Sequence, residues 1–137
     1  MRVMVIVKAN KDSETGVLPN RELLTEMHKF NEELVNAGVM LAADGLHPSS
    51  KGVRVKFEGK KRTVIDGPFA ETKDLVAGFW LWKVNSMEEA VGWLKRAPFD
   101  GGNEVEIRPI FEAGECSSSA PELKEKEGPL RKQVGHK

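Results

Sequence analysis

The stretch Leu75–Val84, LVAGFWLWKV, decides the fold. Side chains alternate between the two faces of a β-strand, so Phe79 and Leu81 point to one face while Trp80 and Trp82 point to the other. The strand is therefore apolar on both faces, which is typical of a central strand whose sheet is covered on each side.

The segments around this strand predict an α+β domain. A polar loop is expected over residues 10–20, and a hairpin turn is expected at Gly59-Lys60, because glycine supplies the positive φ that such a turn needs. Alternating or β-branched runs predict strands over residues 2–8, 39–46, 52–57, 62–65, 75–84 and 103–111, and apolar periodicity predicts helices over 21–37 and 86–97. This order predicts a ferredoxin-like split βαβ fold with an inserted β-hairpin over residues 1–112.

Two helices can cover only one face of such a sheet, so the other apolar face needs a second cover. A partner subunit would supply it, and we therefore predict a homodimer, a dimeric α/β barrel around a small pocket. The alternative is that the C-terminal tail, residues 113–137, folds back over this face. The tail is Ser-rich and then densely charged, which predicts a short helix or partial disorder.

The whole-chain composition limits the partners. Lys plus Arg and Asp plus Glu each number 21 in 137 residues, with no basic stripe, which disfavours nucleic-acid binding. The apolar run Val3–Val7 is too short for a signal peptide or a membrane span, and the only cysteine, Cys116, cannot form an internal disulfide. We expect a soluble cytoplasmic protein. Three scattered histidines give no metal-ligand spacing and no cofactor motif is present, so neither a metal nor a cofactor is expected.

The segment Asp66–Lys73, DGPFAETK, is the first candidate site. A strand ends on an acid, a Gly-Pro turn follows, and both charge signs come next, so the turn would fix the Asp66 carboxylate at the mouth of the sheet. The alternative is that Asp66 only bonds backbone amides of its own turn. The candidate ligand-binding residues of this segment are Gly67, Pro68, Phe69, Glu71 and Lys73.

Four other polar residues are candidates. His28 lies at the border of the inward face of the first long helix, and Asn31 lies within that face. They either bond a buried polar group or line a cavity, and a histidine at the border can also be solvent-exposed. His47 follows a strand and is either a ligand-binding or an exposed loop residue. Arg108, on the last strand, would bind an anionic ligand or pair with Glu104 and Glu106.

Several of these stretches resemble one known family. VIDGPFAETK (residues 64–73) is similar to the signature of the DGPF group of YCII-related proteins. Further support comes from AGVMLAADGLHPS after residue 36, GFWLW from Gly78, EVEIRPI from Glu104 and PEL at residues 121–123. The resemblance spans about residues 1–112 and implies a ferredoxin-like dimeric α/β barrel.

The resemblance also suggests a chemistry. Shorter YCII-type relatives carry a histidine on the first helix, and a His–Asp pair in their pocket has been proposed as catalytic. His28 falls at the place that matches this histidine. Two functions stay open. One is a non-catalytic, small-ligand-binding homodimer. The other is a small cofactor-free enzyme of lyase, isomerase or oxygenase type, acting on a small organic acid or ring. In it, His28 would be the acid or base, Asp66 would orient it, and Arg108 or Lys73 would hold the substrate.

Overall fold

The computed structural model of the chain describes residues 1–99 and 101–115. The elements in chain order are β1 (Arg2–Lys8), α1 (Lys11–Thr15), α2 (Arg21–Asn36), β2 (Met40–Gly45), β3 (Val53–Glu58), β4 (Lys61–Asp66), β5 (Val76–Lys83), α3 (Met87–Leu94) and β6 (Val105–Pro109), with short 3₁₀ turns at Ser49–Lys51 and Thr72–Asp74. Of the C-terminal tail predicted for residues 113–137, everything after residue 115 lies outside the described residues.

The main sheet has the strand order β2-β5-β1-β6, and every neighbouring pair is antiparallel. The strands β3 and β4 form a separate two-stranded hairpin, which follows β2 and precedes β5 in the chain. Without the hairpin, this is the split βαβ order in which the first and third core strands lie at the centre. The prediction of a ferredoxin-like α+β fold with an inserted hairpin is therefore confirmed.

The core lies between one face of the sheet and the helices α2 and α3. Phe30 and Leu34 of α2 are buried against the sheet, and Trp82 is fully buried within the same cluster. The ring of Phe30 meets those of Trp80 and Trp82 edge-on, with centroids 5.9 and 6.4 Å apart. These apolar contacts supply the main driving force for folding.

The two faces of β5 have different environments. Trp80 and Trp82 face the helices and are 5% and 0% exposed within a single subunit. Phe79 and Leu81 point to the opposite face and are only half-buried. The tryptophans therefore need no partner subunit, and the argument for one rests on the opposite face alone.

Residues 10–20 contain a helix that the sequence pattern did not predict. The helix α1 begins after Asn10, whose side-chain oxygen accepts a hydrogen bond from the backbone N–H of Ser13, while the Asn10 N–H donates to the Ser13 hydroxyl. Gly16 ends it with φ at 84°. Because α1 buries no side chain, its residues show no apolar periodicity, and capping at both ends defines it instead.

The chain after β6 returns to the start of β1. Glu112 accepts hydrogen bonds from the backbone N–H of Arg2 at 3.0 Å and from the Arg2 guanidinium at 3.3 Å. Burial alone would raise the pKa of Glu112, but the backbone N–H and the positive charge of Arg2 outweigh it, so the pKa of this carboxyl lies below its usual range. The contact fixes the end of β6 against the edge of the core.

Candidate functional site

The turn that follows β4 is built around Gly67. The peptide bond between Gly67 and Pro68 is cis, and the Gly67 N–H donates to the Gly52 carbonyl at 3.0 Å. A Cβ atom on Gly67 would lie 1.7 Å from the Ser49 carbonyl oxygen. Only glycine fits at this position, because the obstructing atoms belong to the backbone.

Ser49 connects this turn to α1. Its backbone N–H donates to Glu14 Oε2 at 2.9 Å, and its hydroxyl donates to Glu14 Oε1. The same hydroxyl oxygen accepts the backbone N–H of Phe69 at 3.1 Å. One serine therefore joins three segments that are far apart in sequence, and we call Glu14, Ser49 and Phe69 the turn clamp.

The hairpin also contacts the turn clamp. The Arg54 guanidinium lies over the Phe69 ring, 3.7 Å from its centroid. Such stacking stabilises a partly desolvated cation on an aromatic face. The turn clamp therefore fixes the base of the hairpin as well as the turn itself.

Two residues of the turn clamp were not predicted from the sequence. Glu14 lay in the predicted loop, and Ser49 ends a family-like stretch that gives it no particular role. The spacing of Asn10 and Ser13 could have indicated a short capped helix. No local signal indicates that this helix meets Ser49, because the contact spans 35 residues.

The structure does not bring His28 and Asp66 together within one subunit. His28 has a side chain that is 75% exposed, and its Nε2 lies 2.9 Å from Glu32 Oε1, one helical turn away. Asp66 is exposed at the end of β4, and no hydrogen bond joins it to His28 within residues 1–99 and 101–115. The catalytic pair stays a prediction.

Asn31 bonds a buried polar group. Its side-chain oxygen accepts a hydrogen bond from Trp80 Nε1 at 2.9 Å, whereas the Nε1 atom of the neighbouring Trp82 has no such partner in the described part of the chain. This contact is the first of the two alternatives left open for Asn31. Asn31 orients Trp80 in the core.

The other candidates are dispersed. His47, Pro68 and Glu71 are exposed to solvent, and the side chain of Lys73 lies outside the described part of the structure. Arg108 is also exposed, with its Nε 3.7 Å from Glu106 Oε2. This ion pair is the pairing with neighbouring acids considered from the sequence.

A small cleft lies at the end of the sheet near the start of β6. Its volume is about 120 Å³, and its lining residues are Lys8, Ala9, Asn10, Gly102, Asn103 and Glu104. Ligand sites are usually about 300 Å³ or larger. This cleft does not contain the residues predicted to bind a ligand.

The described residues contain neither a metal-binding cluster nor a membrane-spanning helix. No group of three or more His, Cys, Asp or Glu side chains in residues 1–99 and 101–115 could hold a metal ion. Within the same residues, no helix has both the length and the apolar character needed to cross a membrane.

The sheet order, the helix pair and the inserted hairpin define a ferredoxin-like α+β protein. A family model described as the YCII-related domain matches residues 1–113, so the chain belongs to the YCII-related family. It is similar to the uncharacterized protein R00369 of Rhizobium meliloti (strain 1021), with 27% identity over 116 residues that cover 80% of this chain and 94% of the relative.

A solved structure gives a weaker match. The 5-chloro-2-hydroxyhydroquinone dehydrochlorinase of Burkholderia phenoliruptrix AC1100, in complex with 2,5-dihydroxybenzoquinone, is 14% identical. The alignment covers 82% of this chain and 96% of that one, with a TM-score of 0.41. At this similarity, no conclusion about the reaction passes from that enzyme to this chain.

Proposed function

We propose that this chain is a YCII-related protein of the DGPF group that forms a homodimer in the cytoplasm and binds a small organic acid between its two copies. The observation that carries this proposal is the face of the main sheet turned away from α2 and α3, which we call the open face. A large apolar patch of this kind on a soluble subunit usually marks an interface or a ligand site.

The centre of the open face is apolar. Met4 lies directly opposite Leu81 in the pairing of β1 with β5, and Ile6 lies opposite Phe79. All four side chains are half-buried, and none of them belongs to the core cluster with the helices. If a second copy covered them, the dimer would be stabilised by about 25 cal/mol for each Å² of apolar surface removed from water.

The rim of the open face carries charges of both signs near β6. In the pairing of β1 with β6, Glu106 lies opposite Ile6 and Arg108 lies opposite Met4. The Glu106 carboxylate is shared by two cations, with Lys8 Nζ at 3.5 Å and Arg108 Nε at 3.7 Å. The Arg108 side chain is 72% exposed, so its guanidinium can also bind an anionic group beside the apolar surface.

A site between two subunits would have more room than the small cleft of a single subunit. The described cleft of about 120 Å³ is too small for most ligands. Two open faces that meet across a two-fold axis would enclose a larger, water-shielded space. A small acid with an apolar body matches both the centre and the rim of such a space.

The alternative is an enzyme that uses His28 and Asp66. It receives no support from the contacts of a single subunit, since His28 pairs with Glu32 and no hydrogen bond joins it to Asp66 among the described residues. A reaction would require that the second copy or the substrate bring these groups together. We therefore propose binding rather than a particular reaction.

Titration with benzoate, followed by backbone amide chemical shifts, tests the ligand class. We expect benzoate to perturb β1, β5 and β6, and Arg108→Ala to weaken its binding by about tenfold or more, because a charged hydrogen bond is lost. Arg21→Ala, which removes an exposed arginine at the start of α2, should leave the affinity unchanged.

Benzamide serves as the uncharged control. Its weaker binding should be the same for the native chain and for Arg108→Ala. Shift changes confined to the turn after β4, or equal losses of benzoate and benzamide with Arg108→Ala, would contradict an anion site on the open face.

A further inference from the structure

The hairpin β3–β4 stands apart from the rest of the subunit, and we call its residues 53–66 the arm. Among the described residues its strands pair only with each other, and a two-residue turn at Gly59, with φ at 57°, joins them. Every residue of both strands is exposed except Thr63, which is half-buried. An isolated two-stranded hairpin is marginally stable in water, so the arm needs a surface to pack against.

One face of the arm carries four large apolar side chains, together with Arg62 and Asp66. Residues directly opposite each other in antiparallel strands share a face, and Val55 lies opposite Val64. The Arg62 guanidinium, 4.6 Å from the Phe57 ring centroid, covers only part of that ring. The four large apolar side chains of this face are 46–68% exposed: Val53, Val55, Phe57 and Val64.

The opposite face of the arm already contacts its own subunit. Arg54 alternates with Val53 and Val55, and its guanidinium stacks on Phe69 of the turn clamp. Gly67 and Gly52 close the base of the arm by a backbone hydrogen bond. The arm is therefore anchored on its polar face, which leaves the apolar face available for another molecule.

The charges of the arm complement those of the remaining chain. Residues 53–66 contain five Lys or Arg and two Asp or Glu, whereas the rest of residues 1–115 contains eleven and sixteen. On the open face, Asp44 lies opposite Phe79. A second copy thus offers an apolar surface with an acid at its β2 side, on a body of opposite net charge.

We propose that the arm of each copy packs its apolar face across the open face of the other copy. The arm would then close one side of the proposed ligand site between the two copies. This inference rests on the homodimer proposed above. The exchange is reciprocal, so each dimer contains two equivalent arm contacts. Because the turn clamp already holds the base of the arm, docking costs little conformational entropy, which favours association.

A polynucleotide fits the arm less well. Phosphates would bind its lysine and arginine side chains but would leave the four apolar side chains in water. A second copy accounts for both features at once.

The test is the dimer dissociation constant, measured by sedimentation equilibrium for the full-length chain. Val55→Thr combined with Val64→Thr keeps the β-branched shape and removes apolar surface from the free face. We expect the constant to rise about a hundredfold, roughly tenfold for each arm contact. The control combines Val35→Thr with Val91→Thr, two exposed valines on the helices, and should leave the constant within about threefold.

Four outcomes are decisive. A rise for the arm variant alone, with an unchanged circular dichroism spectrum, supports the inference. A dimer whose constant is equal for both double variants overturns the arm contact and leaves the homodimer standing. A native chain that stays monomeric overturns both proposals. Co-purification of nucleic acid with the native chain, lost when Lys60 and Lys61 are replaced by Glu, would assign the arm to a polynucleotide instead.

Discussion

Trp82→Ala is expected to lower the free energy of unfolding by about 3–5 kcal/mol. The Trp82 side chain is 0% exposed and points from β5 toward α2. Its ring centroid lies 5.6 Å from that of Trp80. Alanine would leave a cavity that the surrounding strands and helices can fill only in part. Since domains of this kind are stable by about 5–15 kcal/mol, the loss is a large share of the total.

Urea denaturation followed by circular dichroism measures this effect. Leu18→Ala is the control, because Leu18 is 83% exposed, and its loss should stay within about 0.5 kcal/mol. A Trp82→Ala cost below about 1 kcal/mol would show that the tryptophan does not lie in the core of the subunit.

Gly67→Ala is expected to cost about 2–4 kcal/mol, since the new Cβ would overlap the Ser49 carbonyl and force the backbone of two segments apart. Ser49 would then lose its geometry toward Glu14 and Phe69. The turn and the base of the arm should loosen together.

Gly45→Ala provides a matched comparison on β2. A Cβ there meets no atom within 4 Å, so the stability should change by less than about 0.5 kcal/mol. Amide hydrogen exchange adds a local measurement, because Gly67→Ala should speed exchange in β3 and β4 more than in β1. Equal stability of the two variants would contradict the close packing of the turn on Ser49.

The secondary structure could largely be predicted because most elements carry a periodic pattern. The alternation around Phe57 and the glycine at position 59 defined the hairpin, and the apolar spacing around Phe30 and Leu34 defined α2. The exception, α1, buries nothing and leaves no such pattern. Alternation also shows that β5 has two apolar faces without showing which one the helices cover, so the burial of Trp80 and Trp82 could not be assigned in advance.

The site was harder to predict because its contacts join distant segments. The sequence indicated the turn at Asp66 and Gly67, but neither Glu14 nor Ser49 carries a motif that points to the other. The roles of His28 and Asp66 depend on geometry between elements, which local patterns do not encode. Their pairing, like the dimer, therefore stays a prediction.

One substitution tests whether the proposed dimer forms through the open face and not through the face that the helices cover. Leu81→Glu places a charge on the open face without entering the core cluster, so the subunit should stay folded while the dimer dissociates. Leu24→Glu, at a leucine that is 54% exposed on α2, should leave the dimer intact.

The mass of the native full-length chain in solution tests the central claim most directly. Light scattering at micromolar concentration should give twice the mass of one chain, because in the proposed dimer a second copy would cover the half-buried Met4, Ile6, Phe79 and Leu81 of the open face. A single-chain mass under these conditions would contradict the homodimer and the proposed ligand site between its two copies.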